Sequence, residues 1–277
     1  MKLISVTSGK GGVGKTTVIS NLAMSLSQKG SRVLILDGDI GMSNVDIFFG
    51  VRAQKTIKDI INGMPIDQCI TPLLKNIDLL SGGSGLQELM NLNAYERREI
   101  IDQIRSIEFK YDFLLIDTAP GIHDYVLHLN SIVDECIILI TQDPSSFTDA
   151  YALVKTLHQK HKMSDFLVVC NLVEGTTGIS LFTKFSDICE KFLDVNMMFL
   201  GTIPQDAVLR KLQQHQRLVL KQNMASEAQK QINNIGLKLI DRFNKNKSVE
   251  YNDMQASDRS LSESGLDRLF FPVPGHA

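Results

Sequence analysis

Residues 9–16 of this 277-residue chain read Gly-Lys-Gly-Gly-Val-Gly-Lys-Thr, and this string constrains the fold more than any other. The frame Gly9-x-x-x-x-Gly14-Lys15-Thr16 follows the apolar run Leu3-Ile4-Ser5-Val6 and opens a helical pattern, the strand–loop–helix setting a phosphate-binding loop needs. Gly9, Gly11, Gly12 and Gly14 lack Cβ atoms, so the backbone, Val13 included, can turn its N–H groups around a polyphosphate. The helix that starts through Thr16 and Thr17 aims its positive dipole end at the same anion. Lys15 puts a point charge on the β/γ-phosphates, and the Thr16 hydroxyl suits Mg²⁺. Lys10 is the unusual member. A second ammonium so near Lys15 is repulsive unless an anion lies between them or Lys10 points away from its own site.

Around this loop the sequence alternates strand and helix. Strands are expected at Leu3–Thr7, Arg32–Leu36, Ile77–Leu80, Asp112–Ile116, Cys136–Thr141, Phe166–Cys170 and Met198–Ile203. Most are continuously apolar, as in strands covered on both faces. Helices are expected at Lys15–Lys29, stopped by Gly30, and at Asn93–Glu108, Ser145–His161, Ile179–Leu193 and Gln222–Phe243. The pattern defines an α/β fold: a doubly wound, mostly parallel sheet with helices on both faces and ligands at the carboxyl ends of the strands. The core is expected to span 1–243. Residues 244–264, polar and charged, read as a flexible linker, and 265–277 as a short apolar tail.

With 43% hydrophobic residues the chain can bury one large core. A net charge of −2 argues against nonspecific DNA binding through bulk charge. Cys69, Cys136, Cys170 and Cys189 show no CxxC spacing and read as reduced, buried thiols of a cytoplasmic protein. No charged-then-apolar leader precedes the first strand, so secretion is not expected. No run reaches the length of a membrane span, which leaves only peripheral membrane contact.

Two carboxylate motifs follow strands, Asp37-Gly38-Asp39 and Asp117-Thr118-Ala119-Pro120-Gly121. Carboxylates there can hold Mg²⁺ or orient an attacking water, and Gly121 lets the backbone approach a γ-phosphate. Taken singly, each Asp reads rather as a strand terminator or helix cap; with the phosphate loop and the order along the chain, the metal and water roles prevail. Lys10 within its loop, Asp37-x-Asp39-x-Gly41-x-x-Asn44-x-Asp46, and Asp117-x-x-x-Gly121 together resemble the deviant Walker A ATPases of the MinD/ParA group. The run Asp143-Pro-Ser-Ser-Phe-Thr-Asp, Val168-Val-Cys-Asn171 and Gly201-Thr-Ile-Pro-Gln-Asp206 are similar to the flagellar number regulators of that group.

That resemblance, covering residues 1–243, implies a Mg²⁺-dependent ATPase that pairs as an ATP-sandwich homodimer. It implies that Lys10 crosses the interface to the partner's phosphates, which removes the charge conflict. It further implies that Asp39 positions the hydrolytic water and joins Thr16 and Asp117 at Mg²⁺. Asn171 matches a base-contacting position, with Pro204 and Asp206 beside the adenine. Implied partners are a flagellar transcription activator or an SRP-type flagellar GTPase. The N-terminal extension some relatives use on the GTPase has no counterpart before the first strand, which tilts the expectation towards the transcription activator. A ParA-like DNA partition role, for which Arg210, Lys211 and Arg217 are thin candidate cations, and MinD-like division-site placement stand as rivals.

Other features weigh less. His158 and His161 lie three apart without a third ligand and read as surface residues, and His123 reads as a helix-surface residue close to the nucleotide motif. Gly82-Gly83-Ser84-Gly85 lacks a following Lys-Thr and reads as a mobile loop. Arg97, Arg98 and Lys110 are too sparse for a DNA footprint. In the tail, 265–271, Leu266, Leu269 and Phe270 recur at helical spacing and resemble a membrane-targeting tip. Two such tails on an ATP dimer would bind an inner membrane face by avidity, although Asp267 opposes anionic lipid.

Overall fold

A computed structural model gives the structure over residues 1–39, 45–89, 93–175, 177–208 and 226–254. Strand β1 (Lys2–Thr7) leads through the glycine loop into α1 (Lys15–Gln28), and β2 (Val33–Gly38) follows. Short helices α2 (Val45–Phe49), α3 (Ile57–Ile61) and α4 (Ile66–Cys69) precede a hairpin, β3 (Ile70–Leu74) and β4 (Ile77–Ser81). Then come α5 (Gly85–Leu89), α6 (Ala94–Glu108), β5 (Phe113–Thr118), α7 (Asp124–Ser131) and β6 (Glu135–Ile140). The chain closes with α8 (Pro144–His161), β7 (Asp165–Val173), α9 (Thr177–Leu193), β8 (Asn196–Pro204) and α10 (Glu227–Met254).

The eight strands form one sheet in the order β3-β4-β2-β5-β1-β6-β7-β8. All pairs are parallel except β3 with β4. Winding reverses at β1, whose neighbours are β5 and β6. The crevice at a topological switch point therefore opens where β1 hands over to the glycine loop. Strand β3 was not expected, because Pro72 interrupts its pattern. As an edge strand with a register shift at Pro72–Leu74, it tolerates the missing N–H donor.

Alternate strand residues feed opposite layers. Ile4, Val6, Ile35, Leu115 and Leu139 pack under α1 and α10 with Ile19, Leu22, Ile232 and Leu239. Leu34, Leu36, Leu114 and Ile116 meet Ile57, Ile60, Ile104 and Ile107 on the other face. Ile138, Ile140, Val168 and Cys170 pack there against α8 and α9 through Leu153, Leu157 and Phe185. Each fully buried side chain of this kind contributes about 1.5–3 kcal/mol.

Two expectations change. Helix α10 passes Phe243, whose ring packs 5.1 Å from Phe113, and continues to Met254. The first part of the expected linker is thus helical, since 244–254 is polar but contains no Gly or Pro to stop the helix. The glycines at 82–85 serve close packing. Gly82 N–H donates to the Asp37 carbonyl (3.0 Å), and a Cβ on Gly85 would lie 2.4 Å from the Lys58 nitrogen as α5 meets α3. The tail at 265–277, and Arg210, Lys211 and Arg217, lie outside the described residues.

Helices α1 and α10 meet at Gly236, where a Cβ would stand 2.5 Å from Ser25 Oγ. Gly236→Val should therefore destabilise the protein by about 1–3 kcal/mol through overpacking. Urea unfolding would show a lower midpoint at unchanged slope; an unchanged midpoint would mean that the seam yields.

Candidate functional site

The glycine loop folds as its composition requires. Gly12 (φ 77°) and Gly14 (φ 93°) occupy the left-handed region. Gly9 is pressed against α8 so closely that a Cβ would overlap the Asp149 main chain at 2.1 Å. Lys15 is buried, and its Nζ donates to Ser8 Oγ at 2.9 Å. Burial lowers its pKa, opposed by the charges of Asp117 and Asp39.

Strands β2 and β5 run side by side with Asp37 in register with Asp117, so the two expected carboxylate motifs converge beside the loop. Asp117 is buried, and its Oδ1 has no hydrogen-bond partner. Its carboxyl is pushed up to about 7, first by burial and then by the Asp37 charge; a hydrogen bond from Thr16 and the Lys15 charge pull the other way. Asp37 accepts main-chain N–H groups from Asp39 (3.2 Å) and Val45 (3.4 Å), so it braces the turn that carries Asp39. Asp46 likewise accepts from Ala53 N–H (3.1 Å). Gly41 and Asn44 lie outside the described residues.

An orphaned, buried carboxylate oxygen beside a threonine hydroxyl and further carboxylates is a hard oxygen donor set. It fits Mg²⁺, which Thr16 and Asp117 would hold, with the Asp39 charge felt at Asp117.

Gly121 (φ 98°) closes the other side, its N–H bonded to the Ser8 carbonyl at 3.1 Å. His123 is exposed at the start of α7, and its ring lies within 4 Å of the position a Gly121 Cβ would take. Asn171 sits under the loop. Its Nδ2 donates to the Val13 carbonyl (2.8 Å), its Oδ1 is buried without a partner, and the missing Gly14 Cβ gives it room. Beyond it, a cavity of about 480 Å³ is lined by Val173, Glu174, Gly175, Pro204, Gln205 and Asp206. Pro204 ends β8, while the Asp206 carboxylate accepts from Val208 N–H (2.8 Å) and Ala228 N–H (3.4 Å).

Lys10 points away from Lys15. Its ammonium contacts Asp143 Oδ2 (2.6 Å) and Ser145 Oγ (2.5 Å) at the start of α8. That contact is the largest cause holding the Asp143 carboxyl down at about 2. Of the two ways to relieve the lysine conflict, the structure shows this one.

Sequence reasoning missed Ser8, Asp143 and Ser145 as neighbours of the loop lysines. A small hydroxyl residue directly before Gly9 was the available signal for Ser8. Nothing local marks a partner more than a hundred positions away. Among the described residues no group of three or more His, Cys, Asp or Glu is placed to bind a metal by itself, and none of the helices is long and apolar enough to cross a membrane.

A parallel sheet wound about a glycine loop, with Lys15, Thr16 and Asp117 at its switch point, defines a P-loop NTPase. The family profile described as ParA, NUBPL iron-transfer P-loop NTPase, matches residues 1–240, and the chain belongs to this ParA/MinD family. It is 37% identical over 237 residues to the antiactivator FleN of Pseudomonas aeruginosa, covering 82% of each chain. It is 29% identical over 222 residues to the flagellum site-determining protein YlxH of Helicobacter pylori, covering 79% of this chain and 75% of that one. The septum site-determining protein MinD of Pyrococcus horikoshii OT3, complexed with Mg-ADP, superposes with a TM-score of 0.65. It shares 23% identity and covers 86% of this chain and 95% of its own.

The raised Asp117 carboxyl makes a stability prediction. Between the usual carboxylate pKa near 4 and about 7, the folded state keeps a proton that the unfolded state releases. Without ligand, stability should therefore fall as pH rises through that window, with the full cost present above 7. Calorimetry should show Asp117→Asn with a flatter pH dependence and a higher midpoint than wild type at pH 7.5. The gain is about 2–4 °C for each kcal/mol recovered. The same variant should lose the added stabilisation by Mg²⁺ with nucleotide. A variant less stable than wild type at pH 7.5 would contradict this account.

Proposed function

We propose that this chain is an ATP-hydrolysing, ATP-dependent dimerising switch that regulates the number or placement of flagella. The supporting observation is the position of Lys10. The loop carries two lysines, yet only Lys15 is aimed at the chain's own phosphate site, while Lys10 lies on the outside against Asp143. An outward ammonium at the rim of an anion site is available to a second copy's triphosphate. Two protomers facing each other would then pair only while anions separate their lysines.

Within each protomer the loop N–H groups from Gly11 to Thr17 and the Lys15 ammonium hold the phosphates. Thr16, Asp117 and Asp39 hold Mg²⁺, which supplies charge neutralisation on the β- and γ-phosphates when bound. Asp39 orients the attacking water. Gly121 senses the γ-phosphate through its main chain. Pro204 and Asp206 line the cavity assigned to adenine, and Asn171 lies two residues before Val173 at its edge. Hydrolysis is slow, so the bound nucleotide carries the signal.

The flagellar role rests on the likeness to FleN and YlxH, both matched along most of their length. The name antiactivator favours a transcription activator as the partner over an SRP-type GTPase. The protein is placed in the cytoplasm, with peripheral contact at the inner membrane face through 265–271. Iron transfer is not carried over from the family description. All four thiols are buried, and burial pushes Cys136, Cys170 and Cys189 up to about 12.

Light scattering with ADP and ATP on wild type, Lys10→Ala and Asp39→Ala tests the switch. Wild type should dimerise in ATP alone, Asp39→Ala should stay dimeric in ATP, and Lys10→Ala should remain monomeric. A Lys10→Ala protein that pairs in ATP would remove the argument. Filter binding should show no retention of nonspecific duplex DNA with either nucleotide; ATP-dependent retention would favour the partition role.

A further inference from the structure

Three parts of the proposed phosphate site converge on Ser8. Ser8 is the last residue before Gly9 and is 1% exposed. Its hydroxyl accepts a hydrogen bond from Lys15 Nζ (2.9 Å) and donates to the Lys10 carbonyl (2.7 Å). Its own carbonyl accepts the Gly121 N–H at 3.1 Å. One residue thus contacts Lys15 and the peptide that follows Lys10 through its hydroxyl, and Gly121 of the β5–α7 loop through its carbonyl.

The frame beneath Ser8 is fixed. Thr7 Oγ1 accepts from Thr118 Oγ1 (2.9 Å) and from Asn130 Nδ2 (3.1 Å), all three residues being buried. Asn130 Nδ2 also donates to the Val126 carbonyl within α7 (2.8 Å). The segment between Thr118 and Asn130, which carries Gly121, is therefore pinned at both ends to β1. Between these ends the Gly121 N–H bonds the Ser8 carbonyl, and Lys160 Nζ donates to Asp124 Oδ1 at 3.2 Å. A phosphate that draws the Lys15 ammonium away takes one partner from the Ser8 hydroxyl, while the bonds to Thr7 stay in place.

We propose that Ser8 is a positioning residue for hydrolysis: its hydroxyl sets Lys15 and the Lys10–Gly11 peptide, and its carbonyl holds Gly121. The proposal rests on the reading of the loop as an ATP site. It goes beyond that reading in giving a role to a side chain with no assigned contact to phosphate or Mg²⁺. Removing the hydroxyl takes away the contacts to Lys15 and to the Lys10 carbonyl and leaves the carbonyl bond to Gly121 in place.

The test compares wild type, Ser8→Ala and Ser8→Thr in the full chain. Titration calorimetry with Mg-ADP should give Ser8→Ala an affinity within about threefold of wild type, showing a folded loop. Steady-state hydrolysis of Mg-ATP by Ser8→Ala should lose about tenfold to a hundredfold in kcat, with KM changed less than about threefold, as misplacement of reacting groups predicts. Ser8→Thr, which keeps the hydroxyl, should restore kcat to within about threefold of wild type. Wild-type kcat in Ser8→Ala, Ser8→Thr as slow as Ser8→Ala, or equal loss of ADP and ATP binding would each overturn the assignment. Wild-type protein that binds neither nucleotide would instead take down the ATP reading itself, before any Ser8 variant is measured.

Discussion

Charge is buried at the carboxyl end of this sheet before any ligand is considered. Lys15 loses solvation on entering the crevice, and Asp117 loses so much that its carboxyl rises to about 7. Folding brings them together because β1, β2 and β5 are adjacent and parallel, which puts their carboxyl ends at one edge. Desolvated charges of this kind are costly unless paired. In the proposed function, a polyphosphate with a divalent cation would add a further partner for each. The apolar strands below, packed on both faces, over-determine the backbone and keep the charged ends from relaxing away.

Much of this was legible in the sequence. The glycine loop, the strand-end carboxylates and the alternation of strands with helices all follow from local spacing, and the order along the chain defines a doubly wound sheet. Pro72 hid β3, because a proline argues against a strand until the strand is seen to lie at an edge. Helix α7 was too short for its period to stand out. The glycines at 82–85 looked like a mobile loop since their reason is spatial, the close approach of Asp37 and of α3.

The site divides in the same way. That Lys15, Thr16 and Asp117 come together could be expected from the motifs, since their neighbours are set by the loop and the strand ends. Asp37 was recognised as a candidate, yet its oxygens are taken by main-chain N–H groups, so it acts on the turn that carries Asp39. The contacts of Lys10 were out of reach, because Asp143 and Ser145 lie on a helix that the sequence places far away and only the parallel order β1-β6 brings beside the loop. Ser8 was hidden for the opposite reason: next to so strong a motif, a serine reads as ordinary strand-end punctuation.

The strength of the Lys10 contact decides whether it can serve a switch. Both side chains are well exposed, at 37% for Lys10 and 48% for Asp143, and solvent and salt screen such a pair. A lysine buried with its carboxylate would be trapped, since separating the two would leave an uncompensated charge in the interior. At the surface each partner regains water when the contact breaks, so Lys10 is held in place without being locked there. Lys15, buried against Ser8, has no such freedom and stays with its own site. Two lysines five positions apart thus differ in freedom because they differ in solvation, and it is the exposed one that the proposed function sends across to a second molecule.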